Sequence, residues 1–420
     1  MTDFYRLYNQ IKHYDWGSPH FIPRLLGLPE DGRPYAELWM GGHPGSPSQI
    51  ELSDGLIDLG DFISRDAHRY LGEKTAERYG ALPYLFKLLA AERPLSIQAH
   101  PNMEQAREGF ERENREGLAQ DAPNRNYRDP NHKPEIVCAL TPFTGMCGFR
   151  SPSEIKRLLT VFLGDTPPAI LCEGLAPLMQ ALETPATDSA LRNFFTGLFR
   201  FSLAVREALT EFILRRERAK DTVTRPLIQE PEDCEWELMQ SFASQYPGDP
   251  AIIAPLYLNV FRLQAGEAVF LKAGVLHAYI QGFAVELMAN SDNVLRGGLT
   301  PKHIDVPELT KVLEFAPLKP KVIKPGPGLS DFTYQVPCEE FSLRVMHGSG
   351  GSAPLTLDGP SICIVTEGAA SIEDDILPKG ESIFVPPYRH GEKPLELRGS
   401  YTLYIASIGA SIGASAETPK

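Results

Sequence analysis

Two distant segments of the chain carry nearly the same short pattern. Residues 263–277 read LQAGEAVFLKAGVLH, and residues 377–390 read LPKGESIFVPPYRH. Each segment contains Gly-Glu, a short apolar run, a turn rich in Gly or Pro, and then a histidine. Short buried strands between such turns are typical of jelly-roll barrels. The repetition therefore predicts two related β units in one chain.

The sequence around these segments has the same β character. Short apolar runs between Gly- and Pro-rich stretches fill residues 1–150, and they return from residue 251. Such runs indicate short strands. A strand, a Pro or Gly turn and a histidine together resemble jelly-roll barrels of the cupin kind. We predict a mainly β protein with an α-helical insertion, that is, two cupin-like jelly-roll barrels plus a helical domain.

The insertion is predicted from helix signals. Ser151 is a candidate N-cap, with Pro152 in the first turn and Glu154 placed to close a capping box. Residues 189–220 have apolar side chains at three- and four-residue spacing, which predicts one long amphipathic helix. A last helix is expected to have Asp233 as its N-cap and to end just before Pro247.

These signals divide the chain into five parts. A catalytic cupin-like barrel comprises residues 1–150 and 251–325, with the helical domain, residues 151–250, inserted between them. A Pro- and Gly-rich linker leads to a second barrel, residues 326–408. That barrel keeps His390 but lacks a nearby Gln-x-His or Lys-Pro-Glu segment, so we expect it to bind no metal. Residues 409–420 repeat SIGA and should form a mobile tail.

Charge and cysteine content exclude several classes of protein. The net charge of −13 argues against binding to nucleic acid or to an anionic membrane. The N-terminal segment lacks the apolar core of a signal peptide, and no apolar run is long enough to span a membrane. The six cysteines are scattered without a C-x-x-C pair. We therefore expect a cytoplasmic protein with reduced thiols.

The segment LSIQAHPN places three polar side chains on one side of a strand. Side chains alternate between the two faces of a strand, so Ser96, Gln98 and His100 point the same way. This face meets either water or a ligand that needs a hydroxyl, an amide oxygen and an imidazole together.

Histidines on predicted strands are candidate metal ligands. His100 and His277 each end or begin a β segment, and the segment NHKPEI supplies Glu135 between them in the chain. With the Gln98 amide oxygen, these residues offer four N and O ligands and no thiolate. Such a set suits Zn²⁺ or another borderline divalent ion, with room for a water or substrate oxygen.

Positively charged residues form a second group of candidate site residues in the β segments. They are Lys87 within YLFKLL, Lys133 close to Glu135, Arg296 within LRGGL, and Lys302 further along the chain. Gly297 and Gly298 would let a ligand approach the main chain closely. A basic cluster near a metal suits a phosphorylated, hydroxyl-rich ligand, because the cations hold the phosphate while the metal polarises a carbonyl or hydroxyl group.

Six blocks follow one another along the chain: YDWGS, AELWMGGHPGSPS, LPYLFKLLAAERPLSIQAHPN, NHKPEI, LKAGVLHAYI and VELMANSDNVLRGGLTPKH. Together and in this order, they resemble the type I mannose-6-phosphate isomerase family. The resemblance implies one zinc ion held by Gln98, His100, Glu135 and His277, and it implies a catalytic role for Arg296. It also implies the following pocket residues: Trp16, Lys87, Ser96, Lys133, Glu286 and Lys302.

The resemblance implies interconversion of D-mannose 6-phosphate and D-fructose 6-phosphate through an enediol. Arg296 would stabilise the enediolate, while the base remains open among Lys133, His132 and Glu286. Two alternatives are a cupin metal oxygenase with iron on two histidines and a carboxylate, and a sugar-phosphate-binding barrel without turnover. We expect a monomer whose partner is a small sugar phosphate.

Overall fold

The computed structural model describes residues 4–215, 232–357, 359–387 and 394–409. Strands are the most numerous elements of the described chain. In chain order they are β1 Tyr5–Arg6, β2 Gln10–Lys12, β3 Glu37–Met40, β4 Gln49–Leu52, β5 Gly55–Asp58, β6 Tyr84–Ala91, β7 Ile97–Ala99, β8 Glu135–Ala139, β9 Phe143–Phe149, β10 Leu258–Leu263, β11 Ala268–Leu271, β12 His277–Ala289, β13 Leu295–Gly298, β14 Val322–Ile323, β15 Asp331–Tyr334, β16 Ser342–Leu355, β17 Ser361–Ile372, β18 Asp375–Pro378, β19 Ser382–Val385 and β20 Leu395–Ser407.

Helices lie between the strands, mostly in the middle of the chain. They are α1 Phe21–Leu26, α2 Leu59–Ser64, α3 Ala67–Leu71, α4 Glu73–Tyr79, α5 Met103–Arg115, α6 Pro152–Leu163, α7 Ala169–Ala181, α8 Thr187–Leu198, α9 Leu203–Arg215, α10 Glu232–Gln245, α11 Ala254–Tyr257 and α12 Val306–Val312, with a 3₁₀ turn at Pro250–Ile253. No helix among the described residues is long and apolar enough to cross a membrane.

An 11-stranded antiparallel sheet, here called the N-terminal sheet, carries six of the twelve predicted site residues on its strands. Its path is β14-β11-β8-β12-β6-β3-β2, and β7, β9, β10 and β13 branch from it. Strand β12 pairs with β6, β7, β8 and β9, so it is the centre of the sheet. The register places His277 opposite Gln98 and Glu286 opposite Lys87. Segments far apart in sequence thus meet around one strand.

A seven-stranded sheet, here called the C-terminal sheet, forms from β1 and β15 to β20. Its path is β1-β19-β17-β20-β16-β15, with β18 paired to β17. The first strand of the chain therefore completes this sheet, with Tyr5 opposite Phe384. The repeated pattern found in the sequence corresponds to β11 in one sheet and β19 in the other. His390 and residues 410–420, on which two predictions rest, lie outside the described residues.

The first predicted helix starts where the sequence indicates. The Ser151 hydroxyl accepts a hydrogen bond from the Glu154 main-chain N–H at 3.3 Å, which confirms the N-cap. The Glu154 carboxylate does not close a capping box, because it lies 2.7 Å from the Arg150 guanidinium. At the other end of the block, α10 already includes Glu232. Asp233 is therefore its second residue, and the N-cap prediction for it is wrong.

The segment predicted as one long helix forms two helices, α8 and α9. Arg206 at the start of α9 donates hydrogen bonds to the main-chain oxygens of Phe199 and Phe201, at 3.2 and 3.1 Å. These bonds satisfy main-chain carbonyl groups in the connection between α8 and α9. Apolar spacing continues across the break because both helices face the same core, so spacing alone could not reveal it.

The first 150 residues contain more helix than their Gly- and Pro-rich sequence indicated. The longest of these helices, α5, begins with a capping box in which Asn102 and Gln105 bond each other's main-chain N–H groups at 2.9 Å. This signal was present in the sequence. It was missed because α5 is mostly polar, with only three apolar side chains, Met103, Ala106 and Phe110, along its length.

Candidate metal centre and surrounding site

The alternation predicted for LSIQAHPN is present at β7, which spans Ile97–Ala99, so Gln98 is the one of the three predicted polar residues that lies on the strand. Ile97 and Ala99 are fully buried in the apolar core, while Gln98 points away from them and is partly exposed. Strand β7 pairs with β12 on one side and β13 on the other, which places Gln98 opposite both His277 and Arg296. The alternation read from the sequence therefore aims Gln98 at two other predicted site residues.

His100, Glu135 and His277 form a compact buried cluster. One ligand atom from each residue lies within 4.8 Å of the others. His100 Nε2 lies 3.2 Å from Glu135 Oε1, and His277 Nε2 lies 3.5 Å from Glu135 Oε2. The three residues come from the end of β7, the start of β8 and the start of β12, so the sheet register creates the cluster.

Hydrogen bonds on the outer side of the two imidazoles show where their protons lie. His100 Nδ1 lies 2.7 Å from the main-chain oxygen of Asn293, and His277 Nδ1 lies 3.0 Å from that of Val275. A carbonyl oxygen only accepts, so Nδ1 is the protonated nitrogen in each ring. In the neutral rings, both Nε2 atoms then present lone pairs towards Glu135.

This arrangement fits a metal ion. Burial, followed by the charge of Lys133, lowers the pKa of His100 to about 4, so the ring is neutral at neutral pH. Its buried Nε2 has no hydrogen-bond partner although a Glu135 oxygen is close. Two electron-rich atoms that face each other in a dry site repel unless a cation lies between them. Imidazole nitrogens and a carboxylate are ligands that zinc accepts.

The side-chain amide of Gln98 reaches the same point. It lies 3.5 Å from His277 Nε2. Rotating the amide about its last bond exchanges its nitrogen and oxygen, which presents the oxygen to a cation. The structure thus brings together all four residues that the sequence predicted as ligands.

Two neighbours stabilise the negative charge of Glu135. Lys133 Nζ lies 3.1 Å from Glu135 Oε1, and the buried Tyr279 hydroxyl donates to Oε2 at 3.2 Å. Burial opposes ionisation, but the charge of Lys133, together with the contacts from His100 and His277, outweighs it and holds the pKa of Glu135 well below its usual range. Glu135 is therefore a carboxylate, as a metal ligand must be.

A second buried charge network lies beside this cluster. Lys87 Nζ lies 3.1 Å from Glu286 and 3.6 Å from Glu37, and it sits 5.0 Å above the Trp39 ring. Burial opposes the charge of Lys87, but Glu286 and Glu37 raise its pKa overall. Burial raises the pKa of Glu286 despite the opposing effect of Lys87. Lys87 is thus a fixed cation between two carboxylates.

The cations predicted around LRGGL are more exposed than the cluster, and Arg296 lies opposite Gln98 in the sheet. Arg296 is half-buried and Lys302 is exposed. The pKa of Arg296 is lowered by burial and then by Arg128, and that of Lys302 by burial, Arg296 and Arg128. The sequence reasoning missed Arg128. Three cations gathered together favour an anionic ligand.

The remaining predicted residues are more peripheral. His132 is bonded to Glu340 at 2.8 Å, so its ring contacts the segment before β16. Ser96 is partly exposed just before β7, and the partly exposed Trp16 stacks on Tyr14 at 5.7 Å between ring centroids. These geometries leave the roles of the three residues as predictions.

A cavity of about 620 Å³ lies elsewhere, between the two sheets. Its lining includes Phe21, Phe283, Tyr334 and Tyr404, and none of the cluster residues contributes to it. The donor atoms, rather than cavity size, therefore identify the site.

Sequence reasoning missed Tyr279 and Asn293, which both support the cluster. Tyr279 lies two residues after His277 on β12, so strand alternation could have placed it on the same face. Asn293 gave no local signal, because its partners come from segments far away in the sequence.

Comparison with known proteins agrees with this geometry. Residues 4–152 match the family described as phosphomannose isomerase type I, catalytic domain. The chain is 36% identical over 402 residues to mannose-6-phosphate isomerase of Escherichia coli strain K12, covering 94% of this chain and 97% of that protein. It is 36% identical over 386 residues to the human enzyme of that name, covering 85% and 86%.

Solved structures show the same similarity. A single-residue variant of phosphomannose isomerase from Salmonella typhimurium superposes with a TM-score of 0.84 at 34% identity, covering 97% of this chain and all of that one. A zinc-bound mannose 6-phosphate isomerase gives 0.83 at 35% identity, with the same coverage. The predominance of β sheet with helices between the strands is common to these folds. The chain belongs to the type I mannose-6-phosphate isomerase family.

Proposed function

We propose that this protein is a zinc-dependent isomerase that interconverts D-mannose 6-phosphate and D-fructose 6-phosphate. The observation that carries the proposal is the buried cluster in which two imidazole Nε2 atoms face one carboxylate, and in which the buried His100 Nε2 has no hydrogen-bond partner. Relatives at 36% identity carry the name mannose-6-phosphate isomerase, and a structural neighbour is described as zinc-bound.

The proposed ligands of one zinc ion are Gln98, His100, Glu135 and His277. Their nitrogen and oxygen donors and their burial support this assignment. When bound, zinc would act as a Lewis acid that polarises the oxygens next to the reacting carbons. Tyr279 and Lys133 hold Glu135 in place through contacts of 3.2 and 3.1 Å.

The protein must also move a proton between carbon 2 and carbon 1 of the open sugar. A base removes the proton from carbon 2, the enediolate forms, and the proton returns at carbon 1. Arg296 would stabilise the negative oxygen of that intermediate, since a guanidinium stays charged at neutral pH and cannot be the base. Its position opposite Gln98 supports this role.

The base is proposed from Lys133 and Glu286, with His132 less favoured. His132 is bonded to Glu340, whereas Lys133 contacts Glu135 directly. Burial raises the pKa of Glu286, which moves a carboxylate towards the range useful for proton transfer near neutrality. If Glu286 is the base, kcat/KM falls with decreasing pH as this carboxylate is protonated, and Glu286→Gln removes both the acid limb and most activity. If Lys133 is the base, Lys133→Gln removes the acid limb and most activity, and Glu286→Gln does not.

The phosphate is proposed to bind at the exposed cations. Lys302 is exposed and lies near Arg296, which places a flexible ammonium where the sugar phosphate can enter. Ser96 and Trp16 remain proposed pocket residues. The expected contact between Lys87 and phosphate also remains a prediction, but its burial between Glu286 and Glu37 supports a role in holding Glu286.

We further propose that the two sheets correspond to two cupin-like jelly-roll barrels. Residues 1–150 and 251–325 would form the catalytic barrel, 151–250 the helical domain, and 326–408 a barrel without metal. The two antiparallel sheets and the cluster of helices in the middle of the chain support this division. A cytoplasmic monomer is proposed, and the described cysteines fit a reducing compartment because all of them are free thiols.

A coupled isomerase assay with mannose 6-phosphate tests the proposed function. Activity should disappear when the metal is removed with a chelator and return when Zn²⁺ is added. Binding of mannose 6-phosphate without turnover by the zinc-loaded protein would support the non-catalytic barrel instead. Oxygen uptake by the iron-loaded protein would support an oxygenase, since two histidines and a carboxylate also bind iron.

A further inference from the structure

Asn293 is a fully buried amide whose hydrogen-bonding capacity is used completely. Its Oδ1 accepts from the main-chain N–H groups of Arg128 and Asp129, at 2.7 and 3.2 Å. Its Nδ2 donates to the main-chain oxygens of Asp129 and Asn131, at 2.8 and 2.9 Å. An amide offers two lone pairs and two N–H groups. The side chain therefore clamps one loop, residues 128–131.

The main chain of the same residue holds a proposed metal ligand. The Asn293 carbonyl oxygen accepts from His100 Nδ1 at 2.7 Å, which leaves His100 Nε2 free to face Glu135. The Asn293 N–H is itself fixed by the Ser291 hydroxyl at 3.2 Å. The carbonyl that orients His100 is thus attached to a residue that cannot easily move.

Three segments of the site meet at this residue. The clamped loop, residues 128–131, continues directly into Lys133 and Glu135. On the other side, Asn293 leads within three residues to Arg296 on β13. Asn293 therefore connects the His100 end of β7, the loop that carries Glu135, and the strand that carries Arg296.

We propose that Asn293 is a positioning residue that sets the metal affinity of the site. It does so by fixing the position of the loop before Glu135 relative to the main-chain carbonyl group that orients His100. This inference rests on the proposed function, because it concerns the same metal. Outer hydrogen bonds to ligating histidines commonly change metal affinity by about 10–100-fold when they are lost.

Asparagine is the residue type that this position requires. Aspartate keeps the two acceptor lone pairs but cannot donate to the oxygens of Asp129 and Asn131, so it would place a negative charge against two carbonyl groups. Alanine leaves all four loop groups without their partner. Both variants should loosen the loop, and Asn293→Asp does so without creating a cavity.

Asn259 provides a matched control. Its buried Nδ2 donates to the main-chain oxygens of Gly148, Phe149 and Leu318, at 3.0, 3.2 and 2.8 Å. It is a second amide clamp on main-chain oxygens in the same sheet, but none of these groups belongs to a proposed ligand. Asn259→Ala should therefore lower stability without changing the affinity for metal.

The experiment measures the zinc dissociation constant of folded protein by competition with a chromogenic chelator, together with urea unfolding of the metal-free forms. Asn293→Ala and Asn293→Asp should bind zinc about 10–100-fold more weakly than the wild type, and excess zinc should restore much of kcat. Asn259→Ala should keep the wild-type zinc affinity at a similar loss of stability.

Each outcome separates this inference from the proposed function. Wild-type protein that fails to bind zinc would overturn the proposed function itself. Wild-type binding together with unchanged zinc affinity in both Asn293 variants would overturn only the positioning role. An equal loss of affinity in Asn259→Ala would also overturn it, because the effect would then follow general destabilisation. If Asn293→Ala does not fold, the zinc affinity of Asn293→Asp alone decides whether Asn293 has the positioning role.

Discussion

The two sheets share a strand pattern but bury very different side chains. Strands β11 and β19 contain the repeated sequence, yet the N-terminal sheet buries ionisable groups, among them Lys87, Glu135, Glu286, His100 and His277. Among the described residues of the C-terminal sheet from β15 to β20, the buried polar side chains are hydroxyls and the core is apolar. Buried charges are costly unless they are paired. From this difference we expect the N-terminal sheet to carry the chemistry and the C-terminal sheet to have a structural role.

Removal of one proposed ligand should give the largest effect. His277→Ala opens the coordination shell, and zinc should bind about 10²–10³-fold more weakly if the ~10–16 kcal/mol of a structural zinc site is shared among four ligands. Isomerase activity should fall to background while the protein remains folded, as checked by circular dichroism and elemental analysis. Full zinc occupancy in this variant would refute the ligand assignment.

Substitutions of Arg296 test whether this residue of the N-terminal sheet acts in catalysis or in substrate binding. Arg296→Ala should lower kcat by about 10²–10³-fold with a smaller change in KM, because the enediolate carries a charge that the substrate lacks. Arg296→Lys should restore only part of kcat, since an ammonium lacks the planar fork of a guanidinium. Zinc content should not change. A large rise in KM with intact kcat would make Arg296 a phosphate ligand.

Lys87 tests what the buried charges contribute to stability. Lys87→Met keeps the volume but leaves Glu37 and Glu286 without their cation, so the free energy of unfolding should fall by about 3–5 kcal/mol. The pKa of Glu286, already raised by burial, should rise further. A carboxyl group whose pKa is higher in the folded than in the unfolded state binds more protons when the protein is folded. The stability that Lys87→Met loses at neutral pH should therefore partly return as the pH falls towards the pKa of Glu286 in the unfolded state.

Urea unfolding of the metal-free protein at several pH values measures this effect. The double variant Lys87→Met/Glu286→Gln is the control, and it should regain part of the loss. Equal stability of Lys87→Met and the wild type at neutral pH would show that the network is not a stabilising one.

The C-terminal sheet should give the smallest effect. Ile405 is buried in its apolar core, and Ile405→Val removes one methylene group at a cost of about 0.5–1.5 kcal/mol. Zinc affinity, kcat and KM should match the wild type in steady-state assays. A change in zinc affinity would show that the two sheets are energetically coupled at the site.

The sequence predicted the proposed metal ligands more completely than the residues that hold those ligands in place. Strand alternation placed Gln98 and His100 on one face, and the neighbouring segments offered Glu135 and His277 as further candidate ligands, which the structure brings together. The partners of Asn293 could not be predicted, because they depend on contacts between distant segments.

Local sequence patterns also failed where one long helix and two shorter helices give the same spacing of apolar residues. The apolar spacing across α8 and α9 is the same for one helix or two, since both pack on a single core. At the break, Arg206 donates hydrogen bonds to main-chain oxygens, a contact that hydrophobic periodicity does not encode. Helix α5 shows the opposite case, because its capping box at Asn102 was visible but its polar sequence hid it.

A zinc titration of metal-free protein, followed by isomerase activity, tests most directly whether the chemistry belongs to the N-terminal sheet alone. The account predicts no activity without metal, a linear rise on addition of zinc, and a plateau at one zinc per chain. A plateau at two zinc ions per chain, or activity that does not depend on zinc, would contradict it.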